Sequence, residues 1–250
     1  MFPIRDHNPA SRTPIVTTGL IILNVIVFVM TLPYMADERL LYAFFDHWAL
    51  IPAKVTTGQD FSGLFTHMFL HGGFLHLAGN MLFLWIFGDN LEDVLGHVGF
   101  LVFYIAAGLG AALLQIAAAP FDTTPMVGAS GAIAGVMGGY LLLFPKARVD
   151  VLFIFFIFFR ILPVPAWFML AFWFAIQVIN GSAAVPGTGG IAYWAHAGGF
   201  LVGFLWVLPV WLRRGGPQFW QRSHGHPQHP ATRYRMVRSD VPVVRRRPRR

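Results

Sequence analysis

Six stretches of this chain run for about 20 residues with almost no charged side chain, at about 15–33, 74–93, 97–118, 126–144, 164–180 and 191–212. A helix needs roughly 20 predominantly apolar residues to cross the hydrocarbon core of a bilayer. Six such runs leave little room for a soluble core. The charged fraction is 12% and the mean hydropathy +0.60, where a soluble domain carries about 25% charged residues. The sequence therefore reads as an all-α polytopic membrane protein.

One stretch is ambiguous. "VDVLFIFFIFFRILPVPAWFMLAFWFAIQVI" (149–179) is too long for one untilted span, and Arg160, Pro163 and Pro165 interrupt it. Proline favours helix starts over interiors. The reading is an apolar segment at the membrane interface over 149–162, followed by the fifth span. Loop charge agrees with six spans. Arg5, Arg12, Lys146, Arg148, Arg160 and the basic tail fall on one side; the opposite loops carry only Arg39 and Lys54 as positive charges. By the positive-inside rule both termini are cytoplasmic. "GDNLEDVLGH" (88–97) reads as an inner loop that is uninformative about orientation, because acidic residues contribute little to it.

This divides the chain into a cytoplasmic segment (1–14), a membrane domain (15–212) and a basic tail (213–250). The net charge of +7 could suggest nucleic acid, but 11 of the 18 Lys and Arg lie from Arg213 onward. The tail reads as disordered and held near anionic lipid; no nucleic-acid partner is implied. There is no cysteine, which excludes thiolate chemistry and disulfides. No signal peptide is read at the N-terminus, and a bacterial plasma membrane is the expected location.

Polar groups inside spans are costly and mark candidate functional positions. His67 and His71 read as structural residues of the outer loop, separated by Gly72-Gly73 from His76 and Asn80 in span two. His76 and Asn80 share a helix face at i,i+4. Ser130 is expected about four residues into span four, and His196 about five into span six. All three spans run inward from the same side, so Ser130, His196, His76 and Asn80 converge on one layer. A metal site is not expected: there is no cysteine and no HExxH.

"GASGAIAGVMGG" (128–139) explains how a serine could reach a histidine on another helix. Gly131, Gly135 and Gly139 repeat at GxxxG spacing, as do Gly199 and Gly203. Small residues at that spacing let helix backbones approach closely. A serine side chain is one carbon long, so it needs that approach to hydrogen-bond an imidazole. No carboxylate is placed in this layer; Asp122 lies in the outer loop. Serine chemistry here would be a Ser–His dyad, with Ser130 as nucleophile, His196 as base, and His76, Asn80 and the Ser130 backbone N–H as oxyanion donors. Gly128 and Gly131 flank the serine and support the site.

"HGGFLHLAGN" (71–80), "GASG" (128–131) and "AHAGGFLVG" (195–203), in that order on spans two, four and six, resemble the rhomboid family of intramembrane serine proteases. The resemblance implies a six-helix bundle, no cofactor, and cleavage of single-span membrane proteins in or near the lipid. It also implies that Ser130 is the nucleophile and His196 its base, with His76 and Asn80 as oxyanion donors and His71 as a loop support. "AWFMLAFWF" (166–174), with Trp167, Phe168, Phe172 and Trp173, resembles the lateral gate. Two departures stand out. A Trp-Arg pair often found in the first loop is absent. A tyrosine that some members stack on the base is replaced by Ala134. The alternatives are a non-catalytic rhomboid-like protein that binds membrane clients, against which the intact dyad argues, and a small transporter, against which the off-centre polar layer argues. Oligomeric state is not legible.

Overall fold

The computed structural model describes residues 2–8, 10–155, 158–185 and 190–226. Each apolar run forms a helix. Strand β1 (Phe2–Asp6) precedes α1 (Ile15–Thr31). Three short outer helices follow: α2 (Glu38–Trp48), whose N-terminal amides Arg39 and Leu40 are capped by Asp37, then α3 (Pro52–Thr56) and α4 (Gly63–Thr66). A 3₁₀ turn at His67–Phe69 leads into α5 (Phe74–Leu95), bent 90° from the preceding segment at the Gly72-Gly73 break. Then come α6 (His97–Ala118) and α7 (Ser130–Leu143). Strands β2 (Arg148–Phe155) and β3 (Phe158–Pro165) lead to α8 (Ala166–Ala183), α9 (Tyr193–Arg213) and α10 (Pro217–Ser223).

Helices α6, α8 and α9 are long and apolar enough to cross a membrane, and α5 with the bent segment before it makes a fourth span if the two are counted together. α1 and α7 are apolar but shorter, at 17 and 14 residues.

Three expectations need correction. The protein is not all-α. The 149–162 stretch is a hairpin, and β1 joins it in an antiparallel sheet ordered β1-β2-β3. Branched and aromatic residues favour strands. Pro163 and Pro165 sit on β3, an edge strand, where a missing N–H costs no ladder bond. Val149 and Val151 turn into the core, while Asp150 between them takes the Arg5 guanidinium and the His7 ring, each at 2.7 Å. Second, the basic tail is not wholly irregular: α10 packs Trp220 against Trp211 and donates its indole N–H to the Leu142 carbonyl. Residues 227–250 lie outside the described ones.

Third, 88–97 is not a loop. α5 continues to Leu95 and ends at Gly96, where φ is +72°. Its acids gather the N-terminal segment. Asp93 accepts from the Ser11 and Arg12 amides, and Glu92 from the Val16 and Thr17 amides and the Thr17 hydroxyl. Glu92 thus satisfies first-turn donors of α1 and opposes its dipole. Nearby, Asn8 donates to the buried Tyr140 hydroxyl of α7 at 2.7 Å.

α7 is the hub. Nearly every residue from Gly131 to Leu143 is buried, against α5, α6 and α9. Its contact with α9 is backbone on backbone. A Cβ on Gly199 would fall on the Gly131 carbonyl, one on Gly203 on the Gly135 carbonyl, and one on Gly138 on the Phe200 carbonyl. On another face of α7, Gly131 and Gly135 fit against the Ala111 and Ala107 methyls of α6. Gly139 instead faces the side chains of Val207 and Leu91.

Overpacking of a filled core costs about 1–3 kcal/mol. Gly199→Ala and Gly203→Ala should each destabilise the detergent-solubilised protein by at least that, whereas Gly19→Ala, whose Cβ would meet nothing within 4 Å, should be neutral or stabilising by up to about 1 kcal/mol. Thermal unfolding of the three variants checks this; equal midpoints would remove the packing argument.

Arg5, then His7, hold the Asp150 carboxyl below the usual range by hydrogen bonding. A depressed carboxylate stabilises at neutral pH, and the contribution is lost as pH falls through its folded value, below about 4. Because Arg5 and His7 are largely exposed, at 73% and 47%, the pair is worth only about 1 kcal/mol. Asp150→Asn should lower stability by that amount at pH 7 and by less at pH 3, as read from unfolding midpoints at the two pH values.

Candidate active site

Ser130 is the first residue of α7, not the fourth or fifth of a longer span. Residues 126–129 are non-helical: Met126 bridges to Leu50, and Gly128 has φ +131°. That φ suits glycine alone. A Cβ there would also lie 2.8 Å from the His76 ring nitrogen Nε2. The Gly128 amide donates to the His67 carbonyl at 2.9 Å, and the His67 ring bonds the Gly63 carbonyl at 2.8 Å. His67 thereby ties α4 to the non-helical segment that delivers Ser130.

His196 is the fourth residue of α9. Its Nε2 lies 2.7 Å from the Ser130 hydroxyl. The helices that carry the two groups touch through Gly131 and Gly199, one and three residues further along each chain. His76 and Asn80, one turn apart on α5, border the same cavity of about 630 Å³ as Ser130 and His196. Among the described residues, the buried Asn80 amide nitrogen has no hydrogen-bond partner. The Gly72 amide makes a long 3.5 Å contact to His76 Nδ1, and the other ring nitrogen, Nε2, faces Gly128. His71 is fully buried, edge-on to His76 with ring centroids 5.1 Å apart. Among the described residues, no three His, Asp or Glu side chains cluster as a metal site would.

The aromatic stretch on α8 splits into two groups. Trp167, Phe168 and Phe172 are about half exposed, with Phe168 and Phe172 stacked at 6.2 Å. Trp173 turns inward, its ring 5.6 Å from the His196 ring and tilted by 33°. It supplies the aromatic neighbour that Ala134, fully buried on α7, does not.

Two amides at the site escaped the sequence reading. Gln177 Oε1 lies 2.9 Å from His196 Nδ1, and its Nε2 donates to the Trp173 carbonyl at 3.1 Å. Gln115 of α6 accepts the Ala195 amide, beside His196, at 3.2 Å. Each is a lone polar side chain in an apolar span, and that signal could have found both. Asp122 stays at the outer rim of the cavity, accepting the Thr124 amide. Chemically, a serine hydroxyl bonded to an imidazole that is itself held at its second nitrogen has the arrangement of an activated nucleophile.

Residues 58–213 match the family described as Rhomboid domain. The chain is 35% identical over 142 residues to rhomboid protein 1, mitochondrial, of Saccharomyces cerevisiae, covering 55% of this chain and 38% of that protein. It is 31% identical over 140 residues to the putative rhomboid protease YdcA of Bacillus subtilis, covering 52% and 67%. It is 41% identical over 78 residues to the rhomboid protease GluP of Bacillus subtilis, covering 31% and 15%. The matched stretch thus spans well under half of the yeast relative. With the family match covering most of its length, the chain belongs to the rhomboid family.

Proposed function

We propose that this protein is an intramembrane serine endopeptidase that hydrolyses peptide bonds in or near the transmembrane segments of single-span membrane proteins. The observation that carries the reading is the 2.7 Å contact between Ser130 Oγ and His196 Nε2, within the reach a general base needs. His196 takes the hydroxyl proton as Ser130 attacks the scissile carbonyl, then returns it to the leaving amine. Water hydrolyses the acyl-enzyme by the same route. The Asn80 side-chain NH₂, the His76 ring nitrogen Nε2 in its protonated form and the Ser130 backbone N–H are the donors for the oxyanion in this reading. The last is a first-turn amide, free of intrahelical bonding.

In this reading α1, α5, α6, α7, α8 and α9 are six spans, with both ends and the sheet on the cytoplasmic side. The short α7 then has a purpose. Fourteen residues span about 21 Å, roughly 9 Å less than the hydrocarbon core. Its head, Ser130, is therefore sunk below the outer surface, and the cavity above it admits water. A bacterial plasma membrane is the proposed setting; two of the similar proteins are from Bacillus subtilis, and the yeast one is mitochondrial.

The test is cleavage of a tagged single-span substrate by co-expressed wild type, Ser130→Ala, His196→Ala and Asn80→Ala, all checked for equal membrane insertion. Both dyad variants should lose at least about 1000-fold, and Asn80→Ala about 100-fold. Undiminished cleavage by both dyad variants would overturn the assignment. Absence of both cleavage and serine-probe labelling in the wild type would favour a client-binding protein instead.

A further inference from the structure

We propose that Gln177 is a positioning residue that fixes the tautomer and ring orientation of His196. The inference rests on the protease reading above and adds a third member, an amide, to its dyad. Gln177 is 5% exposed, in the middle of an apolar helix. A polar amide there is costly unless its groups are satisfied, and both of its groups are used. The side-chain NH₂ donates to the Trp173 carbonyl one turn back, at 3.1 Å. A carbonyl cannot donate, so this bond fixes which end of the amide faces the imidazole. Oε1 therefore points at His196 Nδ1, 2.9 Å away. An oxygen acceptor requires Nδ1 to carry the proton. With Nδ1 protonated, the neutral ring has its lone pair on Nε2, the nitrogen 2.7 Å from the Ser130 hydroxyl. Two hydrogen bonds on α8 thus select the one tautomer in which His196 can act as a base.

A carboxylate would serve the same purpose, but it would bring an unscreened charge into an apolar span. An amide orients the ring without that charge and does less to stabilise the imidazolium. The Trp173 ring, packed against the imidazole, limits its rotation about the remaining axis. Both residues belong to α8, so the base is held by one neighbouring helix as well as by its own.

The experiment compares the full chain in lipid vesicles as wild type, Gln177→Met, Gln177→Glu and Ser130→Ala. It measures kcat and KM for a tagged single-span substrate from pH 5 to 9, together with the rate of Ser130 labelling by a fluorophosphonate. Gln177→Met keeps the volume and loses the acceptor. Its kcat and labelling rate should fall about 10- to 100-fold, part of the ~10²–10⁴ that a well-placed base supplies, with KM little changed. Gln177→Glu keeps an acceptor at the same place and should recover most of the rate above pH 8. Its carboxylate favours the imidazolium, so the acid limb of its kcat profile should move to higher pH by about one unit or more. A purely structural Gln177 would leave that limb in place. Wild-type kcat in the Met variant, or equal losses in Met and Glu with an unmoved limb, would overturn the proposal. A wild type that neither cleaves nor labels would overturn the protease reading and this inference with it, whereas an active wild type with indifferent Gln177 variants would overturn this inference alone.

Discussion

The backbone contact between α7 and α9 is the constraint on which the rest of the structure depends. A serine hydroxyl and an imidazole on different helices meet only if the two main chains nearly touch. Three contacts make that possible: Gly131 against Gly199, Gly135 against Gly203, and Gly138 against the Phe200 carbonyl. In lipid there is little hydrophobic drive between helices, so dispersion across such close contacts becomes a principal source of association. The stripe therefore serves stability and chemistry at once. Any side chain that spreads the helices weakens the packing and pulls Ser130 from His196 together.

The opposite end of the bundle is held by polar bonds instead. Glu92 and Asp93, at the end of α5, collect two amides of the segment leading into α1 and two of its first turn, and Tyr140, near the end of α7, collects Asn8. Capping α1 with a carboxylate from another helix fixes both the start of α1 and its position beside α5. The sheet extends that tie, because β1 pairs with β2, which lies between α7 and α8 in the chain. Glycine contacts along the bundle and polar caps at one end together leave the other end with space for a cavity.

Much of this was legible in the sequence for definite reasons. Hydropathy located apolar helices at all six runs, of which α6, α8 and α9 have the length that a bilayer's thickness requires. The polar residues His76, Asn80, Ser130 and His196 were legible because a polar group in an apolar run needs a reason to be there. Gln115 and Gln177 carry the same signal as Asn80, a side-chain amide within an apolar run. The head of α7 was misplaced because hydropathy does not see a backbone turn, and Gly128 at φ +131° ends the helix at Ser130. The hairpin was missed because an apolar run of branched and aromatic residues has no period that separates strand from helix. The capping role of Glu92 and Asp93 was hidden because its partners lie about 75–82 residues away in the chain.

The placement of α8 has a consequence for how the proposed enzyme would admit substrate. α8 is the least enclosed of the three long apolar helices, with 22% of its span buried against 39% for α6 and α9. Its outward face carries Trp167, Phe168 and Phe172, the stretch that resembles a lateral gate, and its inward face carries Trp173 and Gln177. A substrate helix entering between α8 and the bundle would move the element that orients His196. A displacement of even 1 Å lengthens a 2.9 Å hydrogen bond beyond useful range. The open gate would then be a poor catalyst, and the base would regain its tautomer only when α8 settles back around the bound chain. For the proposed protease, a substrate would then be cut only after it had unwound enough to let α8 return.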